Sequence, residues 1–441
     1  MMVSKKIFPS LMICLLMGHV CAFSVFAAEK LVEGFTLKQT IESALAANLG
    51  LQSSQEDTKA ALATQKAQRT RFFPTFNAAY QYNRNDEASK IGGIVLSPKK
   101  EYTFVTTVTQ PIFRGFSLVN QFKISSLGLD MAQINEKLVR QDIVFNAQKT
   151  YFFLLEAKKL FDIAQKTVTQ LKAHKEVAQN YYQVGMTPLN DFLQAQVELA
   201  NAEQDLIAAK NNLENAESDF NLLLRRPLDT PVEIEDVLDY VSLEQDLDYC
   251  LAEANKHRLE IKINELEVEI AQKELTLAKK DYYPAIDLKG SYFKNGTDWD
   301  ADGGEGITDP SGWNILATAS WNFWEWGRTV YGVSEKHSRL SQAQLQKKDI
   351  LDNIQLEVKN AYLRTQETQN AIVTVEKAVE QAQENFRINQ ERYKEQVATS
   401  TDVLDAQTLL SKTMTNYFKA LYTFKISKAA LFRAMGREMI E

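Results

Sequence analysis

From Val333 to Met435 the chain runs for 103 residues without a glycine or a proline. Glycine costs backbone entropy inside a helix, and proline removes a donor and clashes with the preceding turn. A stretch that avoids both for so long, and is rich in Ala, Leu, Gln, Glu and Lys, reads as helix. Similar stretches cover 129–184, 189–226 and 232–283. A helix from about Arg114 to Gln183 would be about 105 Å long, and one from about Glu325 to Val397 is similar. Ordinary globular helices run roughly 8–20 residues, so these imply a coiled coil or an extended assembly. Seventeen glycines and nine prolines in 441 residues fit that reading better than a loop-rich enzyme.

The chain also repeats itself. Tyr182, Asp191, Leu193, Ala195 and Gln196 recur as Tyr393, Asp402, Leu404, Ala406 and Gln407, and Tyr151 recurs as Tyr362, always 211 residues on. Pro74 and Pro284 agree within one residue. A period this long means two structural halves, not a solenoid of short units. Each half reads helix, strand, loop, strand, very long helix, turn, helix. The first repeat spans 28–226 and the second 243–441, and their opening helices cover about 36–70 and 243–280. Residues 227–242, with Pro227, Pro231 and several acids, are expected to form a solvated link.

The helix after Pro188 carries a heptad seam. Phe192, Leu199, Leu206, Leu213 and Phe220 form a large row, and Ala195, Ala202, Ala209, Ala216 and Leu223 a mostly small one. The second half repeats it with Val403, Leu410, Tyr417, Phe424 and Leu431 against Ala406, Thr413, Ala420, Ser427 and Ala434. Small residues let a neighbouring backbone approach while large ones fill its holes. An antiparallel hairpin within one chain explains each seam. A shared cylinder of many helices also explains the length, and the pattern favours it. Thr187-Pro188 is expected to cap one helix, and Ser400-Thr401-Asp402 offers an equivalent cap in the second half.

Four segments, 72–84, 101–113, 284–295 and 312–323, alternate with period two, the mark of strands with one apolar face. Phe76, Ala78, Tyr80 and Tyr82 share one face of the first, and Ile315, Ala317, Ala319, Trp321 and Phe323 one face of the last. Their length suits tilted membrane strands, and aromatics sit near several ends. Two soluble hairpins packed face to face would show the same periodicity. In lipid, four strands cannot close a barrel, so copies must pool them: three copies give twelve strands and two give eight. Loops 85–100 and 296–311 would then face outside. Asp300, Asp302, Glu305 and Asp309 fit no known calcium-loop spacing, and a solvated loop is expected.

Residues 1–27 read as a secretory signal peptide. Lys5 and Lys6 precede an apolar stretch from Ile7 to Phe26, and Val25-Phe26-Ala27 offers the cleavage site. A retained anchor is the alternative. Cleavage would remove two lysines and no acid, leaving 48 basic against 57 acidic residues, a balance that argues against a nucleic-acid binder driven by bulk charge. Cys250 would then stand alone, expected as a small buried hydrophobe. His174 and His337 lie in long helices, where solvated histidines are expected, and with His257 they show no metal spacing. There is no Gly-rich phosphate loop and no Gly-x-Ser-x-Gly elbow. These absences point away from an enzyme.

In Gln110-Pro111-Ile112-Phe113-Arg114-Gly115 a strand passes into a long helix, with the counterpart Trp321-Asn322-Phe323-Trp324-Glu325-Trp326-Gly327-Arg328. Tyr393 through Gln407 holds Asp402-Val403-Leu404-Asp405-Ala406-Gln407. In this order, doubled at one offset behind a signal peptide, the motifs resemble the TolC-like outer-membrane efflux family over nearly all of the mature chain. The resemblance implies a mixed α/β membrane protein. It would be a homotrimer whose twelve-stranded outer-membrane β-barrel continues as a long periplasmic α-helical barrel. Such a passive channel, of a tripartite efflux or type I secretion system, works with a periplasmic adaptor (membrane fusion) protein and an inner-membrane pump. It exports drugs, metals, small toxic compounds or proteins, and it binds no cofactor. The alternative is a soluble periplasmic coiled-coil adaptor or scaffold.

Asp402 and Asp405 are three apart in a first helical turn and share a face. Clustered in a trimer they would attract cations and raise each other's pKa; alone, they read as N-terminal caps. By resemblance both match the family's aspartate ring at the periplasmic constriction, and Tyr393 and Asp191 match residues that help hold that entrance closed. The compared family member has arginine where this chain has Ala398. The loss of that ion pair implies a differently latched, looser entrance.

Overall fold

The computed structural model describes residues 34–237 and 239–438, so the expected signal peptide lies outside the described residues. The first half is α1 (Leu37–Ala47), α2 (Leu49–Thr70), β1 (Thr75–Arg84), a small hairpin of β2 (Ser89–Ile91) and β3 (Ile94–Ser97), β4 (Lys100–Arg114), α3 (Ser117–Gln183) and α4 (Leu189–Leu223). The second is α5 (Leu247–His257), α6 (Leu259–Ala278), a 3-10 turn (Lys279–Tyr282), β5 (Ala285–Gly296), β6 (Ser311–Ser320), α7 (Arg328–Lys394) and α8 (Ser400–Ala434). The repeat holds to the residue: α3 and α7 each have 67 residues and α4 and α8 each 35. Among the described residues no helix is long and apolar enough to cross a membrane.

Several expectations need correction. Each opening helix is two helices, broken at Asn48 and Arg258, which both adopt extended backbone. Asn48 accepts the amide of Leu51 at 3.0 Å and so restarts a helix. Arg258, 4% exposed, instead reaches Glu260 and Glu357 at 2.8 Å each and the Ala434 carbonyl at 3.2 Å. Neither residue is a helix breaker in the sequence. The strand expected from residue 72 starts at Thr75, because Phe72 and Phe73 amides donate to Arg69 and Thr70 carbonyls in a closing turn. The one expected to reach 323 ends at Ser320. Loop 85–100 contains the β2–β3 hairpin.

The 227–242 segment is more than a solvated link: most of its residues are exposed, but it is anchored to the helices. Val232 and Ile234 are buried, and Phe35 bridges to Ile234. The Tyr151 hydroxyl donates to the carbonyls of Phe35 (3.2 Å) and Glu235 (2.6 Å). Asn221 donates to Leu228 and Thr230 carbonyls, Lys159 pairs with Asp236, and Lys425 donates to the Asp239 carbonyl. The segment is a strap laid across α3, α4 and α8. Helix side chains meet several of its carbonyls and Asp236, so Val232 and Ile234 can sit against a core while Glu233, Glu235 and Asp239 stay exposed.

The helices form a layer in the order α4, α3, α8, α7. The heptad seams fill it: Val403, Ala406, Leu410, Thr413, Phe424, Ser427, Leu431 and Ala434 are all buried. Nearer the sheet, α2 packs on α3, and α6 lies between α3 and α7. The main sheet is antiparallel with order β1-β4-β5-β6, so strands from both halves meet at the β4–β5 pair.

Candidate functional site

Two places carry chemistry: the sheet, and the hairpin tips about 100 Å away at the far ends of α3 and α7. In the sheet the register sorts side chains into two faces, because neighbours along a strand point oppositely. Asn77, Thr107, Ser291 and Asn314 fall in one row across all four strands. Gln81 and Thr103, and Thr318 opposite Asp287, lie on the same face. The other face carries Phe76, Val108, Gly290 and Ile315 in one row, and Ala78, Thr106, Tyr292 and Trp313 in the next. One face is thus mostly polar and uncharged, interrupted by the row Ala79, Val105, Phe293 and Gly312, and the other is mostly apolar and aromatic. Yet the apolar face is bare: Phe76 and Trp313 are each 75% exposed. The edge strands β1 and β6 run in opposite directions, since three antiparallel pairings separate them. Their outer backbone groups have no ladder partner.

The two tips turn in the same way. Gly185 (φ 76) closes α3, with the amides of Gly185 and Met186 donating to Tyr182 and Tyr181 carbonyls. Gln396 (φ 61) closes α7 with the same two bonds, to Tyr393 and Arg392.

Beyond the turns they differ. The residue capping α8 is Thr399, not Ser400: its hydroxyl accepts the Asp402 amide at 3.2 Å, and the Asp402 carboxylate accepts the Thr399 amide and hydroxyl, each at 2.8 Å. Thr187 caps nothing: α4 starts after Pro188, and the Thr187 hydroxyl is buried without a hydrogen-bond partner.

Both tip aspartates are exposed, but only Asp402 belongs to that capping box. Within one chain, bonds from the Thr399 backbone and hydroxyl, aided by the charge of Arg392, hold its pKa below the ordinary value. Asp405 lines a groove of about 360 Å³ with Gln194, Glu198 and Thr401, and the Thr401 hydroxyl donates to Gln194 at 2.9 Å.

Tyr393 is 3% exposed, and Asp191 stands in the first turn of α4. The Tyr393 hydroxyl makes no full hydrogen bond. Burial and then the Asp191 charge push its pKa up, while Ser400 pulls the other way. The structure therefore brings Tyr393 and Asp191 within electrostatic reach without bonding them.

His174 is not solvated. Its Nε2 is 2.9 Å from the Ser400 hydroxyl, its ring centroid is 5.0 Å from that of Tyr393, and burial pushes its pKa down to about 4. Sequence reading missed Thr399 and the pairing of His174 with Ser400. The signals were present: Leu171, His174 and Ala178 continue one apolar stripe of α3, and Thr399-x-x-Asp402 is a capping-box spacing. The remaining histidine in a long helix, His337, is exposed. Cys250 is fully buried, packed as a small hydrophobe. Asp302 pairs with Lys294 at 3.9 Å, and no cluster of three metal-ligating side chains occurs among the described residues.

Comparison with known proteins follows the same two-part architecture. The profile of the family described as "Outer membrane efflux protein" matches residues 40–224 and 250–437. Among solved structures, the chain is similar to CusC, known for transmembrane channel formation (17% identity, 91% of this chain and 92% of that one, TM-score 0.80). It is also similar to the Campylobacter jejuni CmeC outer membrane channel (17%, 91% and 85%, 0.81). A third is the outer membrane protein VceC of Vibrio cholerae (17%, 91% and 96%, 0.78). No curated protein sequence matches the chain.

Proposed function

The chain belongs to the outer membrane efflux protein family, and on that premise we propose that three copies close one twelve-stranded barrel in the outer membrane, with the polar sheet face lining its lumen. The observation that carries this is the two-faced sheet with free edges of opposite direction. β6 of one copy can pair antiparallel with β1 of the next, which removes the unpaired backbone that lipid does not tolerate. The row Asn77, Thr107, Ser291 and Asn314, repeated by three copies, becomes a continuous uncharged polar ring. The bare apolar face then meets acyl chains. The helical layer extends the same wall into the periplasm, with α4 and α7 at its edges for neighbouring copies.

The channel is passive. It opens to the outside and receives cargo from a periplasmic adaptor and an inner-membrane pump; nothing in its site supports catalysis. The tips form the periplasmic entrance. Asp405, with Asp402, supplies carboxylates around the axis there, and Tyr393 and Asp191 bias it toward closure. Asp402 has a second duty as a cap, so Asp405 is the freer of the two to meet cargo or cations. Ala398, beside the cap, brings no charge at that position, so the one guanidinium in the turn is that of Arg392, which bonds the Val397 carbonyl and acts on Asp402.

Detergent-purified mature protein reconstituted in planar bilayers tests the reading. Trimers should give discrete conductance steps, and an export assay in a channel-deleted strain should regain function. A water-soluble monomer that gives no steps overturns it. Ala398→Arg should lower conductance, and a variant as open as the parent counts against the looser entrance.

A further inference from the structure

Four hydrogen bonds join the α7–α8 tip to the first repeat, beside the apolar packing of Leu404 on Val168, Leu171, Leu199 and Ala202. Three are exposed: the Tyr181 hydroxyl on the Lys394 carbonyl (3.2 Å), Gln396 Nε2 on Met186 Sδ (3.5 Å), and the Thr401 hydroxyl on Gln194 (2.9 Å). Water competes for each of these. The fourth, His174 Nε2 with the Ser400 hydroxyl, is sheltered: Ser400 is fully buried, and the histidine ring is packed on Tyr393, which in turn meets Tyr181 at 5.6 Å. A hydrogen bond shielded from water is stronger and costs more to leave unmade.

We propose that His174 is a positioning residue that clamps the α7–α8 tip to α3 inside each protomer, holding the entrance end narrow. This rests on the reading of the tips as the constricted end of the channel. The clamp joins residues 226 apart in sequence, one on each repeat, at the first turn of α8. That turn carries Asp402 and Asp405, so fixing Ser400, together with the buried Leu404, helps set where the two carboxylates sit. The other tip has no such device. One repeat apart, the partners of His174 and Ser400 are Asn385, which is exposed, and Leu189, which is 46% exposed. The counterpart of Tyr393 is Tyr182, 40% exposed and stacked on Phe192 of its own hairpin. The neutral imidazole suits the role, because it can exchange a proton donor with a hydroxyl without placing a charge beside the Tyr393 ring.

The experiment is single-channel conductance of reconstituted full-length trimers bearing His174→Phe, Ser400→Ala, both, or His174→Gln. Phenylalanine keeps the ring contact and loses the bond; glutamine keeps a donor. His174→Phe and Ser400→Ala should each raise the open fraction about three- to tenfold, and the double variant no further than either single. His174→Gln should stay near the parent. Heat dissociation of the trimer is read alongside. Variants that lose trimer stability but conduct like the parent give His174 a structural role only and overturn the clamp. A parent trimer that never conducts overturns the channel reading itself, before any variant is compared.

Discussion

The two long hairpins, α3–α4 and α7–α8, match residue for residue in length, yet the protomer holds them in opposite ways. In the body, α3 is better anchored than α7. Tyr151 and Leu155 of α3 are at most 1% exposed and sit under the 227–242 strap, whereas their equivalents on α7, Tyr362 and Gln366, are half-buried and exposed. At the tip the order reverses: α8 is capped, and Ser400 and Tyr393 are buried, while the α3–α4 tip has an unpartnered Thr187 and an exposed Tyr182. Repetition therefore fixed the lengths and left the two copies free to divide the work. One is anchored at the waist. The other has the more closely held tip, at Ser400 and Tyr393.

The largest expected asymmetry is at the waist. Tyr151→Ala should cost about 3–5 kcal/mol and Tyr362→Ala less than about 1.5 kcal/mol, measured by denaturant unfolding of the detergent-purified protein. Equal losses would break the contrast.

Next come the strand-to-helix junctions, where two successive left-handed residues are Gly115 and Phe116 in one repeat and Trp326 and Gly327 in the other. A Cβ at Gly115 would lie 2.3 Å from the Lys280 carbonyl oxygen. Gly115→Ala should destabilise by about 1–3 kcal/mol, whereas Trp326→Gly should stay within about 1 kcal/mol of the parent.

At the caps, Thr399→Ala should cost about 1 kcal/mol, seen as faster hydrogen exchange in the first turn of α8, while Thr187→Ala should leave α4 exchange unchanged. The smallest effect sharpens the same comparison. Gln396→Gly places glycine where Gly185 stands in the first repeat and should raise stability by about 0.5–1 kcal/mol. A loss instead would mean that the Gln396–Met186 contact outweighs the backbone strain.

Much of this was legible in the residues. The heptad rows of α4 and α8 predict the buried seam, and alternation predicts which strand residues share a face, because both depend on local geometry with a fixed period. The breaks at Asn48 and Arg258 were not legible, since neither residue disfavours helix strongly; capping in one case and ion pairs to α7 in the other stabilise the bend. The anchoring of the strap was missed because its acids suggested water, while the lysines and tyrosine that hold it come from α3 and α8. The cap was misplaced by one residue, because Thr399, Ser400 and Thr401 are chemically interchangeable until the turn decides which hydroxyl faces the free amides.

By itself the sequence determined the lengths of the helices, their duplication at one offset, and the two faces of the sheet. These follow from backbone entropy and side-chain periodicity, which need no partner. Only the tertiary structure decided that the strap lies across α3, α4 and α8, that both halves share one sheet with opposed free edges, and that His174 meets Ser400. Those outcomes depend on which distant segment lies opposite, and a hydrogen bond or ion pair forms only when its partner is within about 3 Å.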